Sequence, residues 1–347
     1  MKENRKSKKG ITLFAIFAGL IVLMLFSFIF GRYDVSVKQV VSILTDDFLG
    51  KISGGSWGLT QNWTDKMEIA VLNIRLPRIL MAVMVGLCLS AAGASYQGVF
   101  QNPMASPDVL GASSGAAFGA ALAILIGCSS KMIMVFAFAF SLLTVGMVFI
   151  IGTKAPGLKI LNLILAGIMI SSLFTAGTSY IKLVADPSNQ LPAITYWLMG
   201  SLSGTEIDDV KLAVIPMAVG CFILLLVSWR INILALGDEE AHTLGVNTDL
   251  LRLVVVFAAT LVTASSIAAA GMIGWVGLVI PHVCRKIIGS NYRWLMPASM
   301  FMGGGFLLLV DNVSRNLLAT EIPIGILTAF VGAPFFVYLI IRQEKTI

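Results

Sequence analysis

Apolar positions in this chain come in long blocks instead of alternating with polar ones. From Leu253 to Cys284 the sequence runs 32 residues without Asp, Glu, Lys or Arg. Residues 79–107, 109–130, 132–153, 160–181, 212–229, 294–310 and 322–341 are equally free of formal charge. One charged side chain at the centre of a bilayer costs about 2.5–3.5 kcal/mol on insertion scales. Blocks of about 20 apolar residues, rising 1.5 Å per residue as helices, match a hydrocarbon core roughly 30 Å thick. The pattern predicts an all-α, polytopic membrane protein.

Apolar length and basic flanks place the spans at about 11–30, 72–98, 109–130, 132–152, 160–182 and 211–229. The block from Leu253 is too long for one comfortable crossing. Gly271, Gly274 and Gly277 offer a break, and Pro281 is expected to end the second limb. It divides into spans at about 252–270 and 273–284, followed by 295–313 and 323–341, ten in all. Leu191–Gly200 is expected to form a short external or interfacial helix. The outer segment 46–66 carries Trp and Gly without a recognisable motif.

Charge then orients this array. Basic side chains collect on the cytoplasmic side, and the densest cluster is Lys2, Arg5, Lys6, Lys8 and Lys9. With both termini inside, 14 of the 24 Lys and Arg fall in cytoplasmic segments. The expected organisation is one transmembrane domain, 11–342, between a basic cytoplasmic tail, 1–10, and a short cytoplasmic tail, 343–347. Only 12% of residues are charged, against about 25% in an ordinary soluble domain. The net charge of +6 is not arranged as a basic patch interleaved with aromatics, so nucleic acid is not indicated.

Reaction chemistry is sparse. There is no phosphate-cradling Gly-Lys-Ser/Thr loop, no H-E-x-x-H and no nucleophile elbow. Cys88, Cys128, Cys221 and Cys284 lie singly in or beside apolar blocks and read as packing residues, with neither a disulfide framework nor a zinc site. No metal or cofactor site is expected. Gly111, Gly115 and Gly119, spaced four apart, give one helix face almost bare backbone, which reads as a helix–helix contact.

Two polar groupings stand out. Arg75 and Arg78 are three apart at the outer start of the second span, and Asp311 and Arg315 are four apart near the outer end of the ninth. Spacing alone allows an internal ion pair, interfacial anchoring, or a cationic docking surface for an acidic partner. After the sixth span the cytoplasmic loop reads LALGDEEAHTLGVN from Leu234. Asp238 can cap a brief helix whose first turn holds Glu239 and Glu240, Ala241 and Leu244 form its apolar stripe, and Gly245 stops it. So short a helix needs a groove to sit in, either the protein's own base or a partner.

These residues resemble the membrane-spanning permease subunit of ABC importers for iron–siderophore complexes, haem and cobalamin. The resemblance runs from about residue 12 to 342. It is carried by Arg75–Arg78 (RLPR), by Gly93–Gly111 (GASYQGVFQNPMASPDVLG), by Leu234–Val246, by Gly274–His282 (GWVGLVIPH) and by Glu321–Pro334 (EIPIGILTAFVGAP). It implies a ten-span, cobalamin-importer-type fold that works as a dimer in a bacterial or archaeal cytoplasmic membrane. The partners implied are a second permease, identical or paralogous, two cytoplasmic ATPase subunits and an extracellular or periplasmic substrate-binding protein. Arg75, Arg78 and Arg315 would face outward to dock the binding protein. Gly237, Asp238, Glu239, Glu240, Ala241, His242, Leu244 and Gly245 would sit in a cleft of the ATPase. Gly167, Ser171, Ser172, Thr175 and Thr328, on spans five and ten, would line the pathway. The subunit itself would be non-catalytic, with iron(III)–siderophore as the expected cargo and haem or cobalamin as the alternatives. An ion-coupled secondary transporter is the competing class. It would place ionisable residues near the midplane, where this chain is largely charge-free.

Overall fold

A computed structural model describes residues 2–31, 33–53 and 62–343. Part of the outer segment 46–66, and residues 344–347 of the C-terminal tail, lie outside the described residues. The helices are α1 (Lys2–Ser27), α2 (Val37–Ser53), α3 (Asp65–Glu68), α4 (Leu76–Val99), α5 (Ala112–Leu125), α6 (Ser130–Lys154) and α7 (Lys159–Val184). They continue with α8 (Gln190–Met199), α9 (Ile207–Leu234), α10 (Asp238–Thr243), α11 (Thr248–Ala270), α12 (Val276–Ile288), α13 (Tyr292–Asn316) and α14 (Ile324–Gln343). No strand occurs among the described residues. Among the described residues seven helical stretches are long and apolar enough to cross a bilayer, and the shorter α5, α12 and α14 stand at the remaining three expected spans.

The boundaries depart furthest from the sequence expectation at four places. The second span begins at Asp65 and reaches α4 through a π-helical turn, Ile69–Arg75. There the Leu76 N–H pairs with the Val71 carbonyl, one residue further back than in an α-helix. The expected span 109–130 is instead a 3₁₀ turn, Pro107–Leu110, followed by the 14-residue α5. Gly111 joins them at φ 76°, a conformation glycine adopts without steric cost. Pro281 does not end its limb; α12 runs on to Ile288. The carbonyl that a proline N–H would have satisfied, that of Gly277, accepts from Gln97 Nε2 at 3.3 Å, so the missing donor is replaced from α4. At the N-terminus, the residues expected as a tail from Lys2 to Gly10 are the first turns of α1.

Burial sorts the helices into a centre and a lipid-facing ring. In the apolar windows of α4 and α11, 78% of residues are buried, against 28% in α6 and α9 and 22% in α7. The outer helices show large apolar side chains, among them Leu143, Ile168 and Phe222, on faces suited to acyl chains. Lipid tails are as apolar as leucine, so contact between spans depends on close packing. α4 supplies it with Gly86 against the Gly303 backbone of α13, and with Gly93 against the Gly277 backbone of α12. The Gly115 and Gly119 face of α5 packs on Thr144 and Phe136 of α6, as the spacing predicts. Cys88 and Cys221, isolated in sequence, meet between α4 and α9 with their Sγ atoms 3.6 Å apart and reduced.

A methyl group on Gly93 would leave the Gly277 carbonyl carbon and Cα only 2.5 Å away, an overlap that only backbone movement relieves. Gly93→Ala is therefore expected to destabilise the detergent-solubilised protein by about 1–3 kcal/mol. Gly146→Ala, where nothing lies within 4 Å, should be neutral or mildly stabilising. Thermal unfolding of the two variants side by side checks this; equal midpoints would refute the α4–α12 contact.

Candidate functional site

At one end of the bundle, the entry to α4 and the end of α13 bring Arg75, Arg78 and Arg315 together. Sequence spacing leaves their direction open and the family resemblance turns them outward, but the structure turns the guanidinium groups inward. The three residues are only 4%, 6% and 7% exposed. Arg78 donates from Nε to Asp311 and from Nη1 to Glu321, both at 2.9 Å. Arg315 Nε lies 3.4 Å from the other Asp311 oxygen, the internal ion pair that the four-residue spacing allows. Arg75 donates to the carbonyls of Phe28 and Tyr33, at the end of α1 and just beyond it. The three guanidiniums thus face Asp311 and Glu321, and the nearby carboxylate of Asp34 acts on Arg75. Arg78 Nη2 has no hydrogen-bond partner among the described residues.

At the opposite end, α10 forms where the loop pattern places it, with two corrections. Its N-cap is Gly237, at φ 124°, instead of Asp238. The expected apolar stripe divides: Ala241 is fully buried against the protein, whereas Leu244 is 61% exposed. Leu236, just before the helix, is also 61% exposed. Glu239, Glu240 and His242 are exposed as well, and Gly245 ends the turn at φ 74°. Beside α10, Asp249 at the start of α11 holds Lys159 at the start of α7 at 2.6 Å.

The third feature is a pair of open cavities on the face between α7 and α14, each about 700 Å³ (about 690 and about 710 Å³). The first exists because α11 and α12 do not join smoothly, whereas the second lies between α7 and the link that carries Asp108 and Val109. The chain is irregular from Gly271 to Trp275, and Trp275 takes φ 70°, a strained value for a tryptophan. Irregular backbone at membrane depth requires internal partners. Here Ser201 N–H donates to the Ala270 carbonyl at 2.8 Å, and Ile324 N–H to the Gly200 carbonyl at 2.9 Å. Gly200, Gly271 and Gly325 allow these segments to approach, since a side chain on any of them would strike Met199, Met272 or Trp197 backbone.

Of the residues expected along a pathway, Ser171, Ser172 and Thr175 do line the cavity beside α7. Gly167 does not: it is packed against the Val109 carbonyl. Thr328 does not either, being fully buried with its hydroxyl turned to the Gly325 carbonyl at 3.1 Å. The residue that sequence reasoning missed is Asp108. Its carboxylate is exposed to both cavities, and the hydroxyl of Ser113 in the first turn of α5 donates to it. Asp108 lies in the link between α4 and α5, outside the spanning helices. Enclosure by protein raises its pKa from the ordinary carboxylate value, and hydrogen bonds from the Ser113 hydroxyl and backbone oppose the rise. One signal was available: Asp108 is the only charged residue between Arg78 and Lys131.

Residues 19–342 match the FecCD transport family. The chain is 38% identical over 335 residues to the molybdate import system permease protein of Haemophilus influenzae, covering 96% of each chain. It is 41% identical over 278 residues to the cobalamin import system permease protein of Halobacterium salinarum, covering 80% of this chain and 74% of that one. Among solved structures, a metal-chelate type ABC transporter in an inward-facing conformation superposes with a TM-score of 0.84 at 36% identity, over 96% of this chain and 99% of that one.

The buried cluster at the outer end supplies a test of its own. Asp311 is fully buried, so Arg78→Ala removes its closest cation and is expected to cost about 3 kcal/mol or more in unfolding experiments. The double variant Arg78→Met with Asp311→Leu, which removes the charges together, should recover most of that loss. A single variant as stable as the parent would show that the pair contributes nothing.

Proposed function

The chain belongs to the FecCD transport family, and from that premise we propose that it is the conduit through which an ATP-driven importer moves an iron(III)–siderophore chelate across the cytoplasmic membrane. It is a multi-pass permease component of an ABC importer, and ATP hydrolysis belongs to separate partner subunits. The observation that carries the finer reading is the wide, open surface between α7 and α14. Its hydroxyl groups at Ser171, Ser172 and Thr175 offer mild polarity without a tight binding geometry. Such a wall suits a bulky chelate, because strong binding inside the membrane would trap the cargo.

The same surface supports a paired arrangement. Ile168, Met169 and Leu173 on α7 and Phe330 on α14 are between 58% and 74% exposed around the cavities. A second permease, identical or paralogous, covering this face would enclose the pathway between subunits. Both termini are placed in the cytoplasm by the basic cluster at the start of α1.

Work enters from the two ends. On the cytoplasmic side, α10 presents Leu236 and Leu244 to an ATPase subunit, while Ala241 fastens the same helix to the protein. Movement of α10 reaches α11 and, through the Asp249–Lys159 contact, the cytoplasmic end of α7. That pair is exposed and weak alone, so it aligns the two helix ends more than it stabilises them. On the outer side, Arg75, Arg78 and Arg315 dock an acidic surface of the binding protein through the small part of each residue that reaches the surface.

Two measurements test this assignment. Leu236→Asp with Leu244→Asp alters exposed side chains, so the variant should fold normally yet retain at least about tenfold less ATPase subunit on co-purification. Undiminished co-purification would overturn the coupling role. For the cargo, vesicles containing the complete importer should accumulate radiolabelled iron(III)–siderophore in an ATP-dependent manner and exclude labelled molybdate. The opposite preference would overturn the chelate assignment.

A further inference from the structure

Asp108 stands between the two cavities and lines both, and no other ionisable side chain lines either of them among the described residues. It also lines a smaller recess of about 180 Å³ beneath Trp275. An apolar wall with low-dielectric surroundings focuses the field of a single charge, so a lone carboxylate there acts on anything that passes. The geometry holds it in place. The Ser113 hydroxyl donates to the carboxylate, and α5 begins four residues on, with the Ser113 backbone N–H also turned to the carboxylate. Both features favour the ionised form.

We infer that Asp108 makes the pathway wall selective by charge, favouring neutral or positively charged metal chelates and disfavouring oxyanions and polyanionic chelates. The inference rests on the pathway assignment above and narrows its cargo. Among ferric chelates it points to complexes with no net negative charge, such as those in which three deprotonated hydroxamate groups balance the charge of iron(III).

The test reads the field directly. The full-length permease, assembled with its ATPase subunits in membrane vesicles, carries one reporter cysteine at Ser172→Cys or Ala329→Cys, each lining a cavity that contains Asp108. Cys128 is replaced by Ser, since the other three native cysteines are buried. Each reporter is labelled with a cationic and an anionic methanethiosulfonate reagent of similar size, and the ratio of rates is normalised to free thiol. With Asp108 intact the cationic reagent should be favoured. Asp108→Asn should lower the ratio by at least about threefold, because the two reagents feel the same charge with opposite sign. Asp108→Glu should retain the preference, and a control cysteine at the exposed outer position Ser203 should not respond. An unchanged ratio in Asp108→Asn at reactive reporters overturns the charge selection while leaving the pathway in place. Reporters that react with neither reagent overturn the pathway assignment, and the charge selection with it.

Discussion

The close approach of bare backbone around α4 is the contact on which the rest of this architecture depends. Helices already immersed in hydrocarbon gain little from burying apolar side chains against one another, so adhesion comes from packing at short range. Gly86 meets Gly303 on α13 and Gly93 meets Gly277 on α12, and both contacts lie on the same α-helix seven residues apart. α4 thereby holds α12 and α13, whose irregular junctions with α11 and α14 shape the cavity beside α14. The π-helical turn before α4 belongs to the same arrangement, because it sets the register at which those glycines and the outer arginines face their partners.

Irregular backbone at membrane depth is the second constraint, and it follows from the first. Without water, an unpaired N–H or carbonyl costs several kcal/mol, so a helix break must find partners inside the protein. The break from Gly271 to Trp275 does so through Ser201 and through the convergence of Gly200 and Gly325. Three separate segments then meet at one point: the end of α8, the end of α11 and the start of α14. Trp275, held at positive φ, packs its ring against Gly332 and Phe336 of α14. A shift of α14 would therefore be felt at the α11–α12 junction, and a shift of that junction at the cavity wall.

How much of this was legible in the sequence depended on the range of the interaction involved. Charge-free length found a helix at every expected span, and the glycines after Ala270 located the helix break, because desolvation and chain flexibility act locally. The brief helix at Asp238–Thr243 was equally visible from its flanking glycines. Pro281 misled because its usual effect was cancelled by a side chain from another helix, Gln97, which no window of local sequence reveals. Gly167 and Thr328 misled for a related reason: small and mildly polar residues suit a pathway wall and a helix–helix seam equally well, and only packing decides between them. The direction of the arginines was invisible too, since Glu321 reaches Arg78 across 243 positions of chain.

Charge is distributed in this protein by a single rule applied at two depths. Near the outer end, three guanidiniums are buried only because two carboxylates and several carbonyls lie within reach, and the desolvation cost of each ion is offset by its neighbours. Deeper in, spans are kept free of charge except at the link between α4 and α5, where Asp108 faces a cavity wide enough to admit water and cargo. A carboxylate at that position cannot be excused as an anchor, since no cation pairs with it among the described residues; it is held by a hydroxyl and the start of a helix. The outer cluster is thus neutralised by design of its surroundings, and the inner charge is left to act on what moves past it.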